Sequence, residues 1–172
     1  MDLEKYIASI PDYPTKGILF RDVTPLAQDG EAFKYTCGKL AEYAKSVGAD
    51  LIAGPESRGF IFGCPMATML DIGFVPVRKP NKLPRETISQ EYALEYGTGT
   101  LEMHKDAVKK SQKVVSCDDL VATGGTVEAS IKMIEKLGGI VVGCCFVIEL
   151  DGLGGRDKLK GYDVFSLIKY KE

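Results

Sequence analysis

Tryptophan is absent from this 172-residue chain, and histidine occurs once, as His104. A zinc centre built on cysteine and histidine spacing therefore lacks its ligand set. The five cysteines, Cys37, Cys64, Cys117, Cys144 and Cys145, contain no C-x-x-C pair. Their odd number fits reduced, mostly buried thiols better than a disulfide framework. No apolar run approaches the ~20 residues of a membrane span. The opening MDLEKYIASIPDYP carries acids where a signal peptide has a basic region. Charge of one sign is not in excess either: 22 basic and 24 acidic side chains leave a formal −2. Nothing electrostatic calls for a nucleic-acid or acidic-membrane partner, so an anionic ligand must be held by local geometry. The expectation is a cytoplasmic protein with no nucleic-acid and no membrane partner.

What is present is ordinary globular composition, 45% hydrophobic and 27% charged, with length for one domain over 1–172. Leu3, Ile7 and Ile10 share one face of a short predicted helix ended by Pro11, and residues 11–30 form an irregular arm. Phe33, Cys37, Leu40, Ala44 and Val47 predict a second helix. Strands are expected over 50–54, 73–77, 113–117, 140–148 and 162–168, and further helices over 60–70 and 126–137. Residues 79–100 read as a long polar loop, and such loops in compact domains are commonly lids. Alternating helices and near-continuous apolar strands predict an α/β fold, a mostly parallel sheet flanked by helices. In such sheets ligands bind beyond the C-terminal strand ends. Three loops leave those ends: 54–59, 79–99 and 118–125.

The third loop decides the chemistry. In VVSCDDLVATGGTVEA, Asp118 and Asp119 leave a strand end, and Ala122-Thr123-Gly124-Gly125-Thr126 turns into a helix. Glycines let successive backbone N–H groups converge, and the helix start adds partial positive charge. Together they form a phosphate cradle that needs no lysine. The G-K-[ST] ending of a nucleotide P-loop is missing. Acids beside an anion cradle suit sugar hydroxyls, from which a carboxylate accepts charge-assisted hydrogen bonds.

This string resembles the 5-phosphoribosyl 1-diphosphate (PRPP) motif of type I phosphoribosyltransferases, with Ser116 and Cys117 as departures at the strand end. DYPTKGILFRDVTPL, GPESRGFIFG, VPVRKPNKLPRE and YALEYG narrow the resemblance to the adenine phosphoribosyltransferases over essentially the whole chain. They resemble that family's hood over the base, its diphosphate loop, its basic lid and the segment bearing its catalytic glutamate. Asn81 replaces a common lid glycine. The resemblance implies a type I phosphoribosyltransferase fold with a small hood (1–30) and a long flexible lid (79–100). It implies transfer of the 5-phosphoribosyl group from PRPP to N9 of adenine, giving AMP and diphosphate, with Mg²⁺ and as a homodimer. Rival readings are a 6-oxopurine or xanthine transferase and a non-catalytic purine or PRPP sensor.

By the same resemblance, Ser57, Arg58, Arg78, Lys79 and Lys82 hold diphosphate, with Arg85 a further lid cation, and Arg58 also assists departure of the leaving group. Asp118, Asp119 and Ala122–Thr126 hold the sugar phosphate of PRPP or AMP. Leu19, Phe20 and Arg21 hold adenine, an apolar wall on its face and main-chain groups on its edge. No direct protein ligand to the metal is assigned, although Asp118 and Asp119 are placed to act through water. Glu56–Ser57 is the candidate cis peptide. His104 receives no role.

Glu95 is the implied catalytic group, with Glu91 and Glu102 as neighbours that spacing alone does not separate from it. A carboxylate near N7 accepts the proton the purine loses as N9 bonds to the anomeric carbon. Glu95→Gln should therefore lower turnover by about 10²–10⁴-fold with PRPP affinity nearly unchanged. Steady-state rates with direct PRPP titration check this, and a fall below about threefold would transfer the role to another acid.

Overall fold

The structure, a computed structural model, describes residues 1–94 and 96–172. Five parallel strands form its centre: β3 (Leu51–Pro55), β4 (Gly73–Val77), β7 (Lys113–Val121), β8 (Ile140–Asp151) and β9 (Val164–Lys171). Their spatial order is β4-β3-β7-β8-β9. The chain builds outward from β3 to β4, then returns beside β3 with β7 and builds the other way. The crevice between β3 and β7 is therefore a topological switch point, where open sheets of this kind bind ligands.

Strand periodicity assigns the two faces. Ile52, Val115, Cys117, Cys145, Val147 and Ile168 pack with α2 (Gly30–Ser46) and α3 (Arg58–Met69) in one core. Leu51, Ala53 and Val114 point oppositely, towards Ala129, Met133 and Ile134 of α4 (Gly125–Lys136). Both faces are covered, which explains strands that are apolar at nearly every position. Asp29 caps α2, its side chain accepting from the Ala32 N–H at 2.9 Å. All five cysteines are free thiols, and burial pushes Cys37 and Cys144 up to about 12.

The predicted sheet is present, and four local readings change. The N-terminal stripe is not one helix: a 3₁₀ turn covers Leu3–Tyr6, and Ile10 ends strand β1 (Ala8–Ile10). That strand pairs antiparallel with β2 (Phe20–Asp22), so pairing overrides the helical spacing. The arm over 11–30 is only partly irregular, holding β2 and the short helix α1 (Thr24–Gln28). The supposed loop 79–100 is largely a hairpin of β5 (Thr87–Ala93) and β6 (Thr98–His104). Its alternation was hidden because only one face is apolar: Ile88 and Tyr92 with Leu101 and Met103 join the α4 core, while Ser89 and Glu91 face outward.

The fourth change concerns the acids. β7 pairs with β3 only as far as Ser116 but with β8 as far as Val121. Asp118 and Asp119 thus lie inside a strand, not beyond its end. β8 likewise runs on to Asp151, β9 begins at Val164, and a short helix α5 (Gly155–Lys158) stands between them. Among the described residues no helix is long and apolar enough to cross a membrane.

Phe62 anchors α3 on the sheet, fully buried, with the Phe33 ring edge-on at 5.8 Å. Phe62→Ala should cost about 3–5 kcal/mol, read as a lower urea midpoint with an unchanged m-value. A loss below about 1 kcal/mol would mean that the site collapses to fill the space.

Candidate active site

A cleft of about 880 Å³ opens at the switch point. Its walls come from the ends of three neighbouring strands: Pro55–Arg58 after β3, Lys79 after β4, and Asp118–Thr126 along β7 and into α4. Tyr92–Leu94 of the hairpin and Lys158 of α5 complete it. Ser57, Arg58, Lys79, Asp118, Asp119 and Ala122–Thr126, singled out from sequence, thus share one cavity.

Close approach at Gly59 sets the inner wall. A Cβ there would lie 2.8 Å from Pro55 Cδ and 3.2 Å from Asp118 Oδ1, so only glycine lets α3 begin against β7. Arg58 is carried to the acids by that contact, and its Nε donates to Asp119 Oδ2 at 2.6 Å. Burial opposes the Arg58 charge, but Asp119 outweighs it and holds the guanidinium above its ordinary value. Asp118 Oδ1 accepts the Asp119 N–H at 2.8 Å. Desolvation, then the neighbouring Asp119 charge, pushes the Asp118 carboxyl well above the usual carboxylate range. One acid is therefore matched by a cation, and the other is held under electrostatic tension. The Glu56–Ser57 peptide before Arg58 is cis.

The loop Ala122–Gly125 turns through Gly124 at φ +85°, a conformation that favours glycine. It is clamped from behind by α5: a Cβ on Gly155 would lie 2.6 Å from the Ala122 carbonyl oxygen. In front, a Cβ on Gly125 would meet the Tyr92 ring at 3.3 Å. Backbone N–H groups at the start of α4 are thereby fixed beside the cavity, as an anion cradle requires. Lys158 was not anticipated. Applying the strand-end rule to β8 as well would have pointed to it.

At the foot of the hairpin, Glu56 accepts from Arg78 Nε at 3.2 Å and from the Lys79 N–H at 2.9 Å. Those bonds, the Lys79 one foremost, draw its carboxyl below the ordinary value. Glu102 accepts from the Asn81 N–H at 2.9 Å and the Thr87 hydroxyl at 3.2 Å. Glu56 and Glu102 are thus carboxylates that sequence reasoning gave no structural part. Arg78 lies at the rim against Glu56, Lys82 is exposed, and Arg85 pairs with Asp106 at 3.0 Å. None of these three lines the cavity. His104 is buried, accepting the Arg85 N–H at Nε2 over 3.4 Å. Glu95 lies outside the described residues.

The hood approaches through Phe20, whose ring centroid stands 5.5 Å from Arg58 Cζ and 5.2 Å from the Tyr13 ring. Leu19 is exposed, and the Arg21 side chain is engaged elsewhere, with Ser9, Tyr170 and Glu172. Leu19, Phe20 and Arg21 are not among the residues lining the cavity itself.

Residues 28–171 match the phosphoribosyl transferase domain family. The adenine phosphoribosyltransferase of Lactobacillus acidophilus is 59% identical over 170 residues, covering 99% of this chain and 97% of that protein. The crystal structure of adenine phosphoribosyltransferase from Thermoanaerobacter pseudethanolicus superimposes with a TM-score of 0.96 at 56% identity, covering 98% of each chain. The Saccharomyces cerevisiae adenine phosphoribosyltransferase, solved with an imino-altritol bisphosphate and adenine, gives 0.90 at 39% identity over 96% of each chain. A cavity ringed by an acid pair, a glycine cradle and strand-end cations, found in a chain this similar along its whole length, has one family behind it: the chain belongs to the adenine phosphoribosyltransferases.

Proposed function

We propose that this chain transfers the 5-phosphoribosyl group of PRPP to N9 of adenine, releasing diphosphate and forming AMP, a purine-salvage reaction. The observation that carries this reading is the meeting of Arg58, Lys79, the Asp118–Asp119 pair and the Ala122–Thr126 loop around one cleft. Together they match the three parts of PRPP. Backbone N–H groups of the loop take the 5-phosphate. Asp118 and Asp119 take the ribose hydroxyls through the oxygens not already used by the Asp119 N–H and Arg58. Because Arg58 spends Nε on Asp119, its two terminal nitrogens remain for a pair of diphosphate oxygens.

In the reaction the N9–C1′ bond forms as the bond from C1′ to the diphosphate oxygen breaks. Charge grows on the departing oxygens, where Ser57, Arg58, Arg78, Lys79 and Lys82 stabilise it. Glu95 accepts the purine proton at N7. Phe20 and Leu19 pack on the base while main-chain groups from Leu19 to Arg21 read its edge. The hairpin covers the cleft as a lid and excludes water that would hydrolyse PRPP.

Among the described residues no group of three or more His, Cys, Asp and Glu is placed to hold a metal. The donor set would suit Mg²⁺ that keeps most of its water, with Asp118 and Asp119 the residues that would hold it through that water. Such an ion supplies charge neutralisation on the diphosphate. The chain works as a single cytoplasmic domain, paired with a second copy in a homodimer.

Asp118 yields a prediction with two opposite signs. Its folded-state pKa is raised, so the ionised carboxylate costs stability that grows as pH climbs from the usual carboxylate range through that raised value. Asp118→Asn keeps an oxygen for the Asp119 N–H and removes that cost. The variant should melt higher than the parent near neutral pH and show no advantage below pH 3. Meanwhile AMP and PRPP should bind about 10–150-fold more weakly, the equivalent of 1.5–3 kcal/mol. Calorimetry at several pH values checks both, and unchanged AMP affinity would overturn the ribose assignment.

Base choice tests the reading as a whole. Adenine presents an acceptor at N1 and a donor at its 6-amino group, whereas hypoxanthine presents the reverse. Main-chain readers arranged for adenine leave two buried mismatches with hypoxanthine, which predicts discrimination of about 10²–10⁴-fold in kcat/KM. Radiolabelled adenine, hypoxanthine, guanine and xanthine with PRPP and Mg²⁺ decide it. Comparable values for adenine and hypoxanthine would refute adenine as the substrate.

A further inference from the structure

The hood is too small to hold itself in place. Its strands β1 and β2 have three residues each, paired as Ala8↔Asp22, Ser9↔Arg21 and Ile10↔Phe20. A lone two-stranded ribbon is marginal in water, so its position must come from ties to the body. Side chains alternate along β2. Phe20 points to the cleft, 5.5 Å from Arg58 Cζ. Arg21 points the other way, to the far end of β9.

There the guanidinium is engaged on every nitrogen. Nη1 donates to Ser9 Oγ at 2.7 Å, across the ribbon. Nη2 and Nε donate to Glu172 Oε1 at 2.8 and 3.1 Å. The Cζ atom sits 3.9 Å above the centroid of the Tyr170 ring. The Arg21 and Glu172 side chains are only 15% and 21% exposed. A planar cation stacked on an aromatic face and bonded to both a carboxylate and a hydroxyl is restrained in translation and rotation.

We propose that the Arg21 side chain is a positioning residue for the purine: by tying β2 to Tyr170 and Glu172 it sets where the Phe20 ring and the Leu19–Arg21 main chain meet the base. The inference rests on the adenine-transfer reading above and deepens its base-specific half. Neither Tyr170 nor Glu172 lines the cleft, so they act only through the hood. On that reading the sugar-phosphate and diphosphate groups are held at the ends of β3, β4 and β7 and the start of α4, to which the Arg21 hydrogen bonds do not run. Loosening it should therefore harm recognition of the base and spare that of PRPP.

Arg21→Ala and Glu172→Ala are compared with the parent for KM of adenine, KM of PRPP and equilibrium binding of ribose 5-phosphate. The adenine KM should rise about tenfold in Arg21→Ala, short of the roughly hundredfold that a misplacement of about 1 Å can cost. The adenine-to-hypoxanthine ratio of kcat/KM should fall with it, while ribose 5-phosphate affinity and PRPP KM stay within about twofold. Glu172→Ala should show the same split in smaller measure, and adding it to Arg21→Ala should bring little more, because the two act as one unit. Arg21→Lys, which keeps charge without the fork, should restore part of the adenine KM. If Arg21→Ala does not fold, Glu172→Ala still decides, since it removes the anchor without altering the hood. Unchanged adenine KM in the folded variants, or adenine and PRPP constants rising together, would overturn the positioning role. A parent protein that does not prefer adenine would instead refute the adenine reading itself.

Discussion

Everything in the cleft is referred to the spot where α3 begins against β7. With a hydrogen at Gly59 the helix start sits within van der Waals reach of Pro55, Asp118 and the Cys117 carbonyl oxygen. The Cβ of a side chain there would lie 2.8 Å from Pro55 Cδ and so force α3 away from the sheet. Arg58, one residue earlier, would then lose its 2.6 Å bond to Asp119. Losing that bond would free a cation, strand a buried acid and withdraw the partner that the Phe20 ring approaches. Backbone proximity thus comes first, the ion pair follows from it, and Phe20 of the hood faces that pair.

Two acids on neighbouring strands of this sheet, Glu149 and the half-buried Asp118, show how stability and function divide the same chemistry. Glu149 on β8 is 3% exposed, and it is fully matched: Arg156 donates at 2.6 and 3.0 Å, Ser166 at 2.5 Å, and Lys169 stands 3.8 Å away. Arg156 foremost draws its carboxyl down. Asp118 on the adjacent strand has no cation within bonding distance among the described residues and is pushed up instead. An acid kept only for the fold would gain from a partner like Arg156. Leaving Asp118 unmatched costs stability and makes sense when a ligand hydroxyl supplies the missing bond.

The sheet was legible because both its faces are covered, so that Leu51–Gly54, Gly73–Val77 and Ile140–Ile148 read as apolar runs. The glycine cradle was legible because its geometry demands glycine at Gly124. The hairpin escaped because period-2 alternation is weak when one face meets water, and Ser89, Glu91 and Glu102 diluted it. Asp118 and Asp119 looked like a strand end because charge inside a central strand is unfavourable, and only the tertiary arrival of Arg58 makes it tolerable. Partners far apart in sequence, such as Arg21 with Glu172 or Glu56 with Lys79, leave no local signal at all.

The acids around the hairpin can be sorted by what each already does. Glu102 has both oxygens committed, one to the Asn81 N–H and one to the Thr87 hydroxyl. Carrying a proton to or from a purine would mean breaking the turn that follows Lys79. Glu91 sits on the outward face of β5, exposed, with Thr100 as its cross-strand neighbour. The inward face at that level belongs to Tyr92, which packs on Gly99 and Gly125. A general base must reach the atom it deprotonates, and neither of these residues lines the cleft. Glu102 is thus held by structure and Glu91 faces away, while the proposal for Glu95 rests on the family resemblance of its segment.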